Sequence, residues 1–213
     1  MKKIFISTII LGTVVLTACN KQASPYEVSK KQYEENCYGE KYIPKIDTLN
    51  FTVSVTETIG EDVYTTITKF DKGKVFSSSD LDNFYVQFQS GTYSAENETW
   101  SYYYYYEEAG GYERIFIEND SLPDDMYLPD IGFLVGYEDV KYNSETKFYE
   151  MIEDSKEISG AVFSNAKVQF LNGKIVKAGF EYYYKSNPTK VYKYNYEIKD
   201  YGKTSVTLPE IFI

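Results

Sequence analysis

The sequence contains no histidine, and this absence excludes several kinds of site. Without an imidazole, the chain cannot form a Ser-His-Asp or Cys-His catalytic group, a histidine base or a His-ligated zinc site. Only 2 cysteines occur in 213 residues, too few for a disulfide-rich scaffold or a four-cysteine zinc site. Basic side chains are also scarce, since 22 Lys and Arg stand against 32 Asp and Glu. Nucleic-acid binding requires a basic surface, so the composition predicts no nucleic-acid partner.

Aromatic residues, in contrast, are abundant. The chain has 24 Tyr and 13 Phe, and 43% of its residues are hydrophobic. This content excludes a chain that is disordered throughout. The length suits one domain or a compact domain with a tail.

The first 19 residues have the organisation of an export signal. Lys2 and Lys3 precede the apolar residues 4–16, a run too short to span a membrane as a helix. The run ends in Leu16-Thr17-Ala18-Cys19, which resembles the lipobox of bacterial lipoprotein precursors. The resemblance implies that Cys19 receives diacylglycerol and becomes the new N-terminus. An ordinary secretory signal with a coincidental cysteine is the alternative.

The predicted organisation follows from this motif. Residues 1–18 are a lipoprotein signal peptide, residues 19–26 the lipidated cysteine and tether, and residues 27–213 a single curved β-sheet domain. The predicted location is the extracytoplasmic face of the bacterial cell membrane, with the membrane as partner through the lipid on Cys19. Removal of Lys2 and Lys3 leaves 20 basic against 32 acidic side chains, a net charge of −12. An anionic membrane is expected to repel this charge, so we expect the domain to hang from its lipid.

One short helix is predicted before the strands begin. Ser29 and Gln32 have the spacing of a capping box, so the helix is expected to start near Ser29, or alternatively at Ser24-Pro25. Tyr33 and Cys37 then share one helix face. No activating group lies beside Cys37 in the sequence, so a packed apolar role is predicted rather than a reactive thiol.

The remainder is predicted to be antiparallel β-structure. Polar and apolar residues alternate from Phe51 to Thr56, and turn signals recur every 8–15 residues or so. Asn172-Gly173 is the strongest hairpin signal, and a last strand is predicted near Thr204–Leu208. Residues 131–137 suit either a helix or irregular structure.

Alternation along the two strands after Asn172-Gly173 predicts a one-sided aromatic face. It groups Val176 and Ala178 with the aromatic residues and places Ile175 on the opposite side. The predicted ligand-lining residues are Phe180, Tyr182, Tyr184, Tyr192, Tyr194 and Tyr196. The alternative is that tyrosine here only fills core and surface positions.

The order of these features resembles that of uncharacterised lipoproteins of Gram-positive bacteria and is similar to the LolA-like lipoprotein-carrier superfold. The segments that carry the resemblance are the lipobox, Val28-Ser29-Lys30-Lys31-Gln32-Tyr33, Asn50-Phe51-Thr52-Val53, Asn172-Gly173-Lys174-Ile175, Asp200-Tyr201-Gly202 and Val206-Thr207-Leu208-Pro209. The resemblance implies a mainly β fold: a strongly curved antiparallel sheet, an unclosed half-barrel, with one or two short helices on its concave side. Members of that superfold hold acyl chains between sheet and helices.

Catalytic and metal-binding patterns are weak. Ser164 and Lys167 match the S-x-x-K motif of penicillin-recognising enzymes, but Ser164 lies in a strand pattern and the motif's companion elements are incomplete. Four aspartates without EF-hand spacing suit a solvated acidic loop better than a calcium site: Asp120, Asp124, Asp125 and Asp130. We therefore expect no enzyme, no metal and no cofactor. The predicted function is a lipid-anchored binding module for a hydrophobic or amphipathic small molecule, and the alternative is an interaction protein with a filled core that contacts an envelope protein.

Overall fold

The structure, a computed structural model, describes residues 24–41, 45, 48–80, 85–93, 98–106, 111–118 and 131–211. These residues contain one α-helix, α1, at Lys30–Cys37 and twelve β-strands. The strands are β1 (Asn50–Ile59), β2 (Asp62–Asp71), β3 (Lys74–Ser79), β4 (Tyr85–Tyr93), β5 (Glu98–Tyr106), β6 (Gly111–Glu118), β7 (Val140–Tyr142), β8 (Phe148–Met151), β9 (Ser155–Ile158), β10 (Ala161–Leu171), β11 (Lys174–Tyr184) and β12 (Asn187–Lys199).

The strands form one antiparallel sheet in the order β6-β5-β4-β3-β2-β1-β12-β11-β10-β8-β7, and β9 also pairs with β10. The sheet is not closed into a barrel, so the predicted mainly β, unclosed antiparallel fold is confirmed. The predicted hairpin at Asn172-Gly173 is also confirmed, since these two residues connect β10 to β11. Among the described residues, α1 is the single α-helix.

Two meanders meet at the centre of the sheet. Strands β1 to β6 pair in sequence order. On the other side of β1, β12 pairs with β11, and β11 pairs with β10. The junction is the pairing of β1 with β12, in which Val53 lies opposite Ile198 and Val55 opposite Tyr196. These side chains share one face with the buried side chains of β2, such as Phe70 opposite Phe51. The core therefore lies on one face of the sheet.

The helix α1 covers part of this face and begins where the capping box predicts. The Gln32 backbone amide donates to Ser29 Oγ over 3.3 Å, and Ser29 N donates to Gln32 Oε1 over 3.0 Å. Tyr33 and Cys37 are fully buried, so the predicted packed role of Cys37 is confirmed. The Tyr33 ring lies 5.7 Å from that of Phe170, between centroids. Because a helix this short is unstable alone, this packing is what holds it.

Residues 131–135 form a turn, not a helix, against the end of α1. The backbone amides of Ile131 and Gly132 both donate to the Cys37 carbonyl, over 2.8 and 2.7 Å. A Cβ atom on Gly132 would lie only 2.6 Å from the Tyr38 ring, so this close approach requires glycine. Leu134 and Val135 are fully buried beneath the turn. The turn and α1 together cover one end of the sheet face.

The predicted strand near Thr204–Leu208 is wrong, since residues 204–210 form no strand. Side chains of the first two strands hold this segment instead. The Thr204 amide donates to Asn50 Oδ1 over 2.8 Å, and the Val206 amide donates to Asp71 Oδ2 over 3.0 Å. We call Asn50, Asp71, Thr204 and Val206 the C-terminal clasp. The side-chain oxygens of Asn50 and Asp71 accept the backbone N–H groups that would bond to a neighbouring strand if this segment were part of the sheet.

Candidate functional site

The hairpin of β11 and β12 brings the predicted ligand-lining residues together. In its register Phe180 lies opposite Tyr194 and Tyr182 opposite Tyr192. Directly opposed residues of an antiparallel pair project to the same side. All six predicted residues, including Tyr184 and Tyr196, therefore share the core face of the sheet. We call the rings of Phe133, Phe163, Phe180, Tyr182, Tyr184, Tyr192 and Tyr194 the aromatic face.

The rings of this face stack from strand to strand. The Tyr182 and Tyr192 rings are 4.8 Å apart between centroids and inclined by 6°, and those of Phe180 and Tyr194 are 5.2 Å apart and inclined by 18°. On the other side of Tyr182, the Phe163 ring lies at 5.2 Å. These spacings are close to the ~4.8 Å between strands, so the rings stand upright on the sheet. Neighbouring rings cover one another's faces, and their edges form the surface.

Exposure increases along β11 away from α1. Phe180 is only 8% exposed, Tyr182 is half-buried, and Tyr184 is 46% exposed. On β12, Tyr192 and Tyr194 are also half-buried. The covering turn therefore reaches Phe180, and the rings of Tyr182 and Tyr184 beyond it are more exposed.

Phe133 marks the border between the covered and the open part. It projects from the turn 131–135 and is 47% exposed. Its ring meets Phe163 at 5.8 Å and Phe180 at 6.0 Å, nearly perpendicular to both. Phe133 and Phe163 are site residues that the sequence pattern did not identify.

The alternation fails for Phe163 because β10 contains an irregularity. Ser164 pairs with Glu181 but Lys167 pairs with Gly179, so β10 has one extra residue there. Asn165 takes a positive φ of 54° at this point. An inserted residue reverses the side on which the following residues lie. Counting back by twos from the buried Val168 therefore assigns Phe163 to the wrong face.

A second register shift, between Gln169 and Phe170, changes the side of the sheet on which Ile175 lies relative to the predicted alternation. Phe170 pairs with Ile175, and Ile175 is fully buried in the core. Val176 is only half-buried. The prediction that placed Ile175 opposite to Ala178 is therefore wrong.

Two charged side chains border the open part of the aromatic face. The Tyr194 hydroxyl donates to Glu57 Oε1, and Lys190 Nζ lies 5.2 Å from the centre of the Tyr192 ring. Burial, and then the bond to Glu57, raises the pKa of Tyr194. Burial also raises the pKa of Tyr182 to about 12. At neutral pH these phenols are protonated, so they act as hydrogen-bonding groups and not as bases.

The space between α1 and the sheet is filled by the protein's own side chains. Tyr33 packs on Tyr149 and Phe170, and its hydroxyl donates to the Val135 carbonyl over 3.3 Å. A separate open groove of about 670 Å³ lies beside the β10 irregularity. The acidic residues that line it are Glu150, Glu153, Asp154 and Glu181. In the described part of the chain, no three His, Cys, Asp or Glu side chains are grouped so that they could hold a metal ion.

Several predicted residues lie outside the described ranges. They are the predicted signal peptide 1–18, Cys19, and the aspartates 120, 124, 125 and 130. Within the described ranges, no helix is long and apolar enough to cross a bilayer. Comparison of the chain with protein-family models, curated proteins and solved structures found no match.

Proposed function

We propose that this protein is a lipid-anchored, non-catalytic binding protein at the outer face of a bacterial cell membrane, and that the aromatic face binds a hydrophobic or amphipathic small molecule. The observation that carries the proposal is the open end of that face, where Phe133 and Tyr184 are about half exposed. Contiguous exposed apolar groups on a soluble domain mark interaction sites. The lipobox at Cys19 supports the anchor.

The chemistry of the face suits an amphipathic ligand. Ring edges give apolar contact, while the hydroxyls of Tyr182 and Tyr192 can bond polar groups of a ligand. Glu57 and Lys190 add one negative and one positive group at the border. A ligand with an apolar body and polar substituents can therefore satisfy both the rings and the border.

The ligand lies on the open face and not beneath the helix. The space below α1 is occupied by Tyr33, Phe170 and Val135, all fully buried. An unclosed antiparallel sheet with a helix on one face is what the resemblance to lipoprotein carriers implies, and this agreement supports a binding role. Lipoprotein carriers hold their ligand between the sheet and the helices, whereas we propose that the ligand of this protein binds beyond the turn 131–135.

Native mass spectrometry of the purified protein, with organic extraction of the same sample, tests the binding role. We expect a co-purifying small molecule whose mass is lost in the double variant Tyr182→Ala/Tyr192→Ala. The control is Tyr183→Ala, because Tyr183 is also half-buried on β11 but projects to the opposite side. A ligand-free mass that stays unchanged after incubation with envelope lipids would rule out the small-molecule role.

The anchor has its own test. Cys19→Ala is expected to release the protein from the membrane fraction of cells, whereas Cys37→Ala, which removes the buried thiol, is expected to leave it there. A Cys19→Ala protein that still sediments with membranes would contradict the lipobox assignment.

The filled interior favours a second candidate function. In the described part of the chain, the space between α1 and the sheet is filled by buried side chains. Such a sheet can use its exposed tyrosines to contact a protein, since tyrosine gives a large amphipathic contact at a low entropic cost. In this case the double variant Tyr182→Ala/Tyr192→Ala loses a cross-linked envelope protein, and the purified protein carries no small molecule.

A further inference from the structure

Several parts of the chain meet at one end of the sheet, which we call the anchor pole. Its described residues are Pro25, Lys45, residues 48–50, the turn 71–74, the turn 171–174 and residues 199–203. Three backbone hydrogen bonds of 2.8 Å join these parts: Asn172 N to Pro25 O, Lys72 N to Leu49 O, and Gly202 N to Asn50 O. The Tyr201 hydroxyl adds a bond to the Ile175 carbonyl at the start of β11. The pole is therefore a connected surface and not a set of separate loops.

The anchor pole is basic although the chain as a whole is acidic. Five lysines of the pole are exposed: Lys45, Lys72, Lys174, Lys199 and Lys203. Against them, the described residues of the pole contain one exposed carboxylate, Asp200. The other, Asp71, is largely buried and accepts hydrogen bonds within the clasp, with Lys74 Nζ 3.5 Å away. The exposed charge of the pole is thus strongly positive.

Screening makes this local charge more important than the net charge of −10. The Debye length at physiological ionic strength is about 8 Å. The exposed acidic residues Glu61, Asp62 and Asp80 lie at the opposite end of the strands. Along β11, ten residue steps of about 3.4 Å separate the two ends by roughly 34 Å. A charged surface near the pole therefore meets the five lysines together with Asp200 and Glu27, the latter beside Pro25, whereas Glu61, Asp62 and Asp80 lie beyond the screening distance.

The pole is also the part of the domain next to the proposed lipid. Pro25 follows Cys19 by six residues, which span at most about 20 Å when extended. We infer that the anchor pole docks on the headgroups of an anionic bilayer, so that the domain stands upright on the membrane and the Tyr184 end of the aromatic face points away from it. This inference rests on the proposed anchoring at Cys19. In this inference the lysines of the anchor pole are attracted to the anionic membrane, whereas the net charge of the domain alone predicts repulsion.

Lysine footprinting on the full-length, lipidated chain tests the docking. The protein is reconstituted into vesicles of phosphatidylcholine alone or with about one third phosphatidylglycerol, and lysine acylation is read by mass spectrometry. We expect acylation of Lys72, Lys174 and Lys203 to fall about fivefold or more in the anionic vesicles. Lys185, which is exposed at the opposite end, is the internal control and should react equally in both.

Each outcome decides for or against the docking. Unprotected pole lysines, or equal protection in neutral vesicles, overturn it. Equal protection by soluble polyphosphate without vesicles overturns it in favour of an anionic polymer. The N-terminal peptide of the same digest reads the anchor separately: lipidated Cys19 without lysine protection overturns the docking alone, whereas unmodified Cys19 overturns the proposed anchor and the docking with it.

Discussion

Replacement of Asp71 by asparagine is expected to loosen the C-terminal clasp. The Asp71 carboxylate accepts the Val206 amide over 3.0 Å and the Asn50 side-chain amide over 3.0 Å. Its side chain is only 14% exposed, and Val206 is 3% exposed, so water cannot readily replace these bonds. A hydrogen bond to a charged group contributes about 1.5–3 kcal/mol. An amide retains one acceptor oxygen but directs its NH₂ group at a donor, so we expect Asp71→Asn to lower the free energy of unfolding by about 2–3 kcal/mol at pH 7.

The pH dependence identifies the charge as the cause. The Val206 amide, followed by Lys74, lowers the pKa of Asp71 below its usual 3.8. A lowered pKa in the folded state means that the stabilisation is complete well above pH 3.8 and is lost as the pH falls through the folded-state pKa. Between about pH 5 and pH 3, the free energy of unfolding of the wild-type protein should therefore fall more steeply than that of Asp71→Asn. The difference in free energy of unfolding between the two proteins should narrow over this interval.

Urea unfolding followed by far-UV circular dichroism at pH 7, 5, 4 and 3 measures both quantities. Asp62→Asn is the matched control, because Asp62 is an exposed carboxylate at the other end of β2 and should change stability by less than about 0.5 kcal/mol. A difference between wild type and Asp71→Asn that stays constant from pH 7 to pH 3 would refute the reasoning. So would a loss at pH 7 no larger than that of the control.

Two further predictions concern the cover and the aromatic face. Gly132→Ala places a Cβ atom 2.6 Å from the Tyr38 ring and should lower the melting temperature by several degrees. Gly136→Ala is the control, because its added Cβ atom lies 3.5 Å from the nearest atom and should leave the melting temperature unchanged. Equal melting temperatures of the two variants would contradict the close approach at Gly132. Ultraviolet titration should show a tyrosine that ionises near pH 12 and disappears in Tyr182→Phe, because burial raises that pKa. Stability from this raised pKa is complete below about pH 10 and is lost as the pH rises toward 12, so wild type should lose more stability than Tyr182→Phe in that interval.

The parts of the fold that the sequence predicts correctly are those encoded by neighbouring residues. The capping box of Ser29 and Gln32 lies within one turn of helix, and the turn at Asn172-Gly173 needs only two residues. The aromatic face of β11 and β12 follows from alternation because that pair keeps its register from Lys177 to Tyr183.

The missed parts depend on contacts between distant residues. Strands β7 and β9 have three and four residues, too few to show alternation, and exist through pairing with β8 and β10. Residues 204–208 have the composition of a strand, but Asn50 and Asp71, more than 130 positions earlier, take its backbone donors. The sequence did not identify Phe163 as a residue of the aromatic face, because nothing around Asn165 indicates the extra residue in β10.

The pairing of β1 with β12 also has a consequence for how the chain folds. Thr52 and Lys199 are partners, so the centre of the sheet can form only when almost the whole chain is present. Contacts between residues so distant in sequence make folding slow, because the loop between them must be closed first. The hairpins of β1 to β6 can form early, but they leave β1 with an unpaired edge that invites association with other chains. A chain that is synthesised from its N-terminus completes its sheet only after the last strand is made, and its folding should depend on protection of β1 until then.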